Sequence, residues 1–548
     1  MQLYKNFCKE TFDENGKLID FQLDFPETYN FGYDVVDKMA ELAPDDKAIV
    51  WTNPDKEEKT FTFADISRLS NKCANVFKKY GIKKGDKVLV ILKRNYEYWY
   101  VTPALHKLGA VIIPATNLLT CDDISYRVNS AGIKAAVCTP DDTTAEDMLA
   151  VSALDNTLET VFVPRADIDG AVNLTTEIEN ADTALERVET KADEPMLIYF
   201  TSGTTGYPKA VQHNHSYTLS HIITAKHWQC VKEKGLHLTV AETGWAKASW
   251  GKIYGQWLCG CCVMVYDFDK FSPGKLLRIM EKYNVTTFCA PPTVYRYFIK
   301  RGMDKYDLHS LEHISTAGEA LNPEVFEKVY EQTGLRIHEG YGQSESVLIL
   351  ATLGGSASTP GSLGKPSPMY DVRIVDPEGN ELKTGEVGEI VIFPPKDRKQ
   401  YGIFTTYFGN EELYNNVWRG GYYHTGDTAY KDDEGYFWYV GRADDLIKTR
   451  GFRVGPFEVE NVVMQHPDVL ECAVIGVPDS DRGQAIKAIV KLTDNCVRDK
   501  HTETNIKNFC NKRMASYKWI QILEIVDELP KTISGKIKRT DLRKDDKS

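Results

Sequence analysis

At 548 residues the chain exceeds what one compact core usually supports, so several domains or subdomains are expected. Hydrophobic residues make up 42% and charged residues 26%, a globular composition that excludes a disordered chain. A net charge of −12 argues against broad binding to nucleic acid or anionic membranes, while a local basic patch could still hold a small phosphorylated molecule.

The N-terminal stretch MQLYKNFCKETFDENG has no apolar segment and carries acidic residues early, so it fits neither a secretory signal nor a transit peptide. No apolar run approaches the roughly 20 residues needed to cross a bilayer. Twelve cysteines are scattered without a disulfide-rich rhythm, which suits reduced thiols. A soluble, cytoplasmic protein is the expectation.

KVLVIL (87–92), a helical stretch through EYWYVTPALHKLG and AVIIPA (110–115) read as strand, helix, strand. AAVC, TVFV, MLIYF, LTVAE, CVMVYDF, TTFCAPP and HISTAGEA continue the series, with helical patterns such as PGKLLRIMEKY and NPEVFEKVYEQTG between them. The alternation predicts α/β layers with substantially parallel sheet. Within it, Cys259, Cys261 and Cys262 raise the question of a metal. A single C-x-x-C without a companion pair leaves zinc short of ligands, and the run reads as buried strand cysteines.

Near residue 361 the texture changes. VRIVDPEGNELKTGEVGEIVIF has strands broken by the turn signals PEGN and TGEVG, so a small antiparallel unit is expected over about 361–440. After the polar, glycine-punctuated GRADDLIKTRGFRVG (441–455) comes a compact α+β unit of about a hundred residues.

The most unusual loop is YFTSGTTGYPKAV (199–211), a buried strand followed by hydroxyls, glycines and Lys209. It does not fit the G-x-x-x-x-G-K-[ST] phosphate loop, because Gly203 to Gly206 is too short and Pro208 precedes the lysine. Its chemistry still suits an anion: glycines admit close backbone N–H groups, hydroxyls add donors and Lys209 adds charge. On these residues alone, phosphate loop and plain turn both stay open. The same holds for LPKTISGKIKRTDLR (529–543), either a basic tail or a loop presenting Lys536.

Taken together, the loop, EGYGQSE (339–345), YHTGD (423–427), GRADDLIKTRGFRVGP (441–456) and PKTISGK (530–536) occur in the order found in the adenylate-forming superfamily. The resemblance spans about residues 30–543. AETGWAKASWGKIYGQW and GRADDLIKTRGFRVGPFEVE look most like its medium-chain acyl-CoA synthetases. The resemblance implies a large N-terminal domain (1–440) of layered sheets and helices with a small β-barrel-like subdomain, a hinge (441–447) and a small, mobile α+β C-terminal domain (448–548). It implies a ligase that couples a carboxylic acid to CoA through an acyl-adenylate, with ATP and CoA as co-substrates and Mg²⁺ as cofactor, and leaves homo-oligomerisation open.

The roles that follow are those the resemblance implies. Thr201, Ser202, Gly203, Thr204, Thr205, Gly206, Tyr207, Pro208 and Lys209 would cradle the departing pyrophosphate. Gly318, Glu319, Ala320, Glu339, Gly340, Tyr341, Gly342, Gln343 and Ser344 would line the nucleotide site, with Asp427 and Arg442 at the ribose. Glu345 would ligate Mg²⁺, an ion held by few protein oxygens plus phosphates. Lys536 would bridge carboxylate and α-phosphate, where a positioned cation counts most. Arg453 resembles an arginine that contacts phosphate, and Asp444 marks the hinge. Arg450, Gly451, Phe452, Arg482 and Lys512 match positions near CoA. Trp245, Lys247, Trp250, Cys289 and Gly342 fall in acyl-pocket segments, with Trp245 and Trp250 expected to re-line part of the pocket and limit its depth. Acetate-specific relatives have tryptophan where Gly342 stands, so open space and acids larger than acetate are expected here, from short branched to medium straight-chain or aromatic.

Three other readings compete. An adenylation enzyme loading a carrier protein's pantetheine would share the motifs, but no carrier segment adjoins. Nothing supports a luciferase-type oxidation. A catalytically dead nucleotide sensor predicts loss of Lys536, Glu345 or Asp444, and all three are present.

Overall fold

The computed structural model describes residues 2–154, 156–201, 208–319, 321–396, 398–450, 452–493, 496–531 and 537–545, with the side chains of Arg453, Lys544 and Asp545 left aside. Two large sheets carry most of the chain. The first has eight strands, in the order Thr406–Tyr407, Lys209–Asn214, Pro195–Thr201, Val111–Pro114, Lys87–Ile91, Ile133–Cys138, Thr160–Val163 and Val172–Asn173. From Pro195–Thr201 to Val172–Asn173 every pairing is parallel. Such strands are covered on both faces, which is why KVLVI and IKAAVC are nearly unbroken apolar runs. The helix Tyr98–Leu108 between two of them is buried along its whole length and ends on Gly109, whose φ of 66° closes the last turn.

The second sheet has nine strands. Thr287–Cys289, His313–Ala317 and Ile337–Tyr341 lie side by side and parallel, with Cys289 beside Ser315 and Ala317 beside Gly340. Their carboxyl ends therefore emerge at one edge, where open α/β sheets bind ligands. Cys259, Cys261 and Cys262 are buried on the way into this sheet, and burial pushes the Cys259 and Cys262 thiols up to about 12.

The antiparallel unit is a four-stranded sheet of Asp371–Val375, Gly388–Phe393, Tyr423–Lys431 and Phe437–Arg442. Its end strands do not pair among the described residues, so it is an open sheet rather than a closed barrel. The C-terminal unit wraps its own core of Val454, Val474, Ile486, Val490 and Ile506. Its helix Pro456–Val463 rests on the preceding sheet through an edge-on contact of Tyr439 with Phe457, centroids 5.7 Å apart. Arg539 holds Glu460 at 2.7 and 2.9 Å and approaches Asp445 at 3.6 Å, tying the last helix to the segment after Asp444. No helix among the described residues is long and apolar enough to cross a membrane.

Candidate active site

The strand Ile337–Tyr341 organises the site. Side chains alternate along a strand, so Gly340 and Gly342 share one face and Tyr341 takes the other. On its face, Tyr341 donates from Oη to Asp427 Oδ2 at 2.6 Å. Gln343 donates from Nε2 to the same oxygen at 2.7 Å and to the Thr425 carbonyl at 2.8 Å, while Tyr423 Oη donates to Gln343 Oε1 at 2.8 Å. Asp427 is buried, and strand pairing sets it across from Arg442, whose Nη1 lies 3.6 Å from Asp427 Oδ1. Arg442 also reaches Asp444 Oδ1 from Nε at 3.4 Å. Burial works against the charged guanidinium, but Asp427 and Asp444 together hold it more firmly protonated than usual. The result is a fixed carboxylate ringed by donors, joined through one arginine to the exposed Asp444.

Glu345 is oriented from elsewhere. Tyr407 donates from Oη to Glu345 Oε1 at 2.8 Å, and the ring of Tyr407 lies 5.4 Å from Lys209 Nζ. Lys209 opens the strand that leaves the Thr/Gly loop, paired with Thr201 on the other side of it. Glu345 and the two flanks of that loop are thus neighbours. The second oxygen of Glu345 carries no hydrogen bond among the described residues. A hard oxygen donor so disposed fits Mg²⁺, and no cluster of three or more His, Cys, Asp or Glu that could hold an ion occurs among the described residues.

Glu339 supports the site from below. It is buried, its Oε1 accepts from the Leu321 amide at 3.1 Å, and its Oε2 has no partner. Burial pushes this carboxyl up to about 8. It therefore anchors Leu321, whereas Glu319 is exposed and accepts from Thr293 Oγ1 at 2.9 Å. Gly318 has a φ of 101°, a conformation that favours glycine. The Ser344 carbonyl lies 2.7 Å from His213 Nε2, and burial lowers that imidazole to about 4.

On the other strand face lies a correction. Gly342 does not leave open space: a Cβ there would fall 2.5 Å from Cη2 of Trp250 and 2.6 Å from the Val347 carbonyl oxygen. The indole of Trp250 fills the volume that the glycine vacates. A Cβ on Gly340 would likewise meet Trp228 Cε2 at 2.5 Å, and the two indoles pack edge to face at 6.0 Å and 87°. Trp245 is half-buried at the start of the helix Ala246–Gly251. Lys247 turns inward, its Nζ donating to the Ala317 carbonyl at 2.7 Å, and Cys289 is buried in the core.

In the C-terminal unit, the Arg450 amide donates to the Arg482 carbonyl at 2.8 Å, and Arg450 has a φ of 50° beside Gly451. Phe452 is half-exposed and stacks on Tyr517 at 4.5 Å and 19°. Lys512 is exposed at the end of the helix Lys500–Asn511. Ser202, Gly203, Thr204, Thr205, Gly206, Tyr207, Ala320, Gly451 and Lys536 lie outside the described residues, as does the side chain of Arg453. Pro208 is half-buried where the chain re-enters the sheet. Motif reading missed Tyr407, Tyr423, Tyr439 and Trp228, which sit outside the recognisable blocks or at unremarked positions within them.

Residues 36–407 match the AMP-binding enzyme family and residues 458–536 its AMP-binding enzyme C-terminal domain. The chain belongs to this family of adenylate-forming enzymes. Within it, the acyl-coenzyme A synthetase ACSM3, mitochondrial, of Homo sapiens is 39% identical over 535 residues, covering 96% of this chain and 91% of the relative. The acyl-coenzyme A synthetase ACSM4, mitochondrial, of Homo sapiens is 38% identical, covering 94% and 90%. Among solved structures, the anthranilate CoA ligase AuaEII in complex with anthranoyl-AMP superposes with a TM-score of 0.87 at 27% identity, covering 96% of this chain and 98% of that one. The Brucella canis acyl-CoA synthetase gives 0.72 at 27% identity, covering 95% and 94%.

Proposed function

We propose that the chain is an ATP-dependent, AMP-forming acyl-CoA synthetase of the medium-chain type. The observation that carries the reading is the strand Ile337–Tyr341: one face presents the donor-ringed Asp427, the other the glycine–tryptophan wall. A nucleotide on the first face and a carboxylic acid on the second would meet at the strand end.

In the first half-reaction a carboxylate oxygen of the acid attacks the α-phosphorus of ATP, and the bond to pyrophosphate breaks. In the second, the CoA thiolate attacks the acyl carbonyl carbon and AMP departs with the electron pair of the C–O bond. Asp427 would accept ribose hydroxyls, and Arg442, 3.6 Å from its Oδ1, would hold it in register. Thr201 to Lys209 would hold the outgoing pyrophosphate on backbone N–H groups and the Lys209 charge. Glu345, oriented by Tyr407, would hold Mg²⁺, which when bound neutralises phosphate charge. Lys536 would supply the cation between carboxylate and α-phosphate. Asp444 would serve as hinge, letting Lys536 and then the Arg450–Phe452 segment face the acid site, with Arg453 toward phosphate and Arg482 and Lys512 toward CoA.

Trp250, backed by the fully buried Trp228, would close the acid pocket where a smaller wall would admit longer chains. This supports short branched to medium straight-chain acids, with weak sorting between neighbours, because a methylene is worth only about 1–3 kcal/mol. The test is pyrophosphate release with ATP, Mg²⁺ and acids from acetate to decanoate, plus 2-methylbutyrate, isobutyrate and benzoate, with and without CoA. Multiple turnovers only with CoA and one group of acids are expected. A single-turnover burst indifferent to CoA would refute the CoA acceptor.

A further inference from the structure

The antiparallel hairpin Cys8–Phe12 and Leu18–Leu23 precedes residue 36, where the match to the family begins, and the chemistry described so far gives it no part. It is nonetheless locked onto the site's back wall. His227 Nε2 lies 2.5 Å from Glu10 Oε1, both side chains being about nine-tenths buried (10% and 11% exposed). The rings of Phe12 and Phe21 flank the same imidazole at 6.2 and 6.1 Å. His227 and Trp228 end the π-helix Ile223–Trp228. The His227 carbonyl accepts from the Gly354 amide at 2.6 Å, the Trp228 carbonyl lies 2.8 Å from His313 Nε2, and Trp228 Nε1 donates to the His338 carbonyl at 3.1 Å.

A short physical chain follows: Glu10 holds His227, the next residue Trp228 packs on Gly340 and edge-on against Trp250, and Trp250 packs on Gly342. A π-helical turn is rare and frequently lies at a functional site, and here its last two residues are held by contacts from Glu10, Gly354, His313 and His338. Packed indoles have little room to adjust independently, and a displacement of one passes to the other.

We propose that Glu10 is a positioning residue for acid selection: by fixing His227 it fixes Trp228, which backs Trp250, and so sets the depth of the pocket that Trp250 closes, without touching the nucleotide face. The inference rests on the acyl-CoA synthetase reading above. It predicts that loosening the hairpin changes which acid is preferred rather than how fast ATP is used.

The experiment compares full-length wild type, Glu10→Ala, Glu10→Gln and Phe12→Ala by pyrophosphate release over straight-chain acids from propanoate to decanoate with CoA present. In Glu10→Ala, kcat/KM for the wild-type optimum falls roughly tenfold through KM, the optimum moves to longer acids, and KM for ATP stays within about twofold. Glu10→Gln, which keeps a carbonyl oxygen for His227, retains the wild-type profile. Phe12→Ala removes a half-exposed ring, leaves the core intact and shifts the profile in the same direction, deciding the matter should Glu10→Ala not fold. An equal loss for every acid, or an unchanged profile in the folded variants, overturns the proposal while leaving the synthetase reading standing. A wild type that turns over no acid refutes that reading and the proposal with it.

Discussion

Replacing Gly342 by alanine adds one methyl group at the point where the acid and nucleotide faces meet. The new Cβ falls 2.5 Å from Trp250 Cη2 and 2.6 Å from the Val347 carbonyl oxygen, so something must move. Val347 is held by a hydrogen bond from its amide to the Gly402 carbonyl at 2.8 Å, and the neighbouring Ile349 amide donates to the Tyr341 carbonyl at 2.8 Å. The indole is the softer partner, yet it is 6% exposed and braced by Trp228. Overpacking of this kind costs about 1–3 kcal/mol, on the order of 5- to 150-fold in an equilibrium or rate constant. That loss is expected in kcat/KM for the acid, carried by KM, while KM for ATP is unchanged because Tyr341 and Asp427 occupy the opposite strand face. The assay is initial-rate pyrophosphate release at saturating ATP over a series of acids. Trp250→Phe in the same chain should return part of the loss, giving a non-additive cycle. Wild-type kinetics in Gly342→Ala, or a defect confined to ATP, would refute the assignment of the two faces.

Removing the Tyr407 hydroxyl (Tyr407→Phe) frees Glu345 Oε1, and the Mg²⁺ concentration for half-maximal rate should rise by about tenfold or more, a hydrogen bond to a charged group being worth roughly 1.5–3 kcal/mol net; an unchanged Mg²⁺ titration would count against Glu345 as the ligand. Asp427→Ala should raise KM for ATP far more than KM for the acid, measured by the same assay with each substrate varied. Lys536→Ala should abolish acid-dependent pyrophosphate release while CoA still consumes acyl-adenylate supplied preformed; equal loss of both half-reactions would refute its assignment to the first. Glu339 gives a pH-dependent stability. Its carboxyl ionises at about 8 in the folded chain against an ordinary 4.5, so between those values the folded state holds a proton that the unfolded state has lost. Stability from this residue is full below about 4.5 and declines toward pH 8, at up to about 1.4 kcal/mol per pH unit. Glu339→Gln should therefore melt with the wild type near pH 5 and above it near pH 8 to 9; a difference independent of pH would refute the burial argument.

The order of motifs, the parallel strands and the identity of the chemical groups were legible along the chain. A strand covered on both faces must be continuously apolar, a demand that falls on neighbouring residues, whereas the glycine- and hydroxyl-rich loop gained its phosphate reading only from the order of motifs around it. Asp427 could be picked out from YHTGD only through the resemblance of the ordered motifs, since by itself an Asp427–Arg442 pair reads equally as a structural ion pair. What the sequence could not reveal were the partners supplied from far along the chain. Tyr407 reaches Glu345 across 62 positions and Tyr341 reaches Asp427 across 86, and no local pattern marks such a pairing. Gly342 shows the limit most clearly. As a letter it signifies a missing side chain, and the expectation was open space that Trp245 and Trp250 limit in depth without filling it at the glycine. Only packing decides whether such space stays open, and here Trp250 fills it. Local composition thus determined which chemistry this protein carries, while tertiary packing decided the shape of the pocket that chemistry serves, because close-packed interiors fill vacated volume with whatever side chain the fold brings nearest.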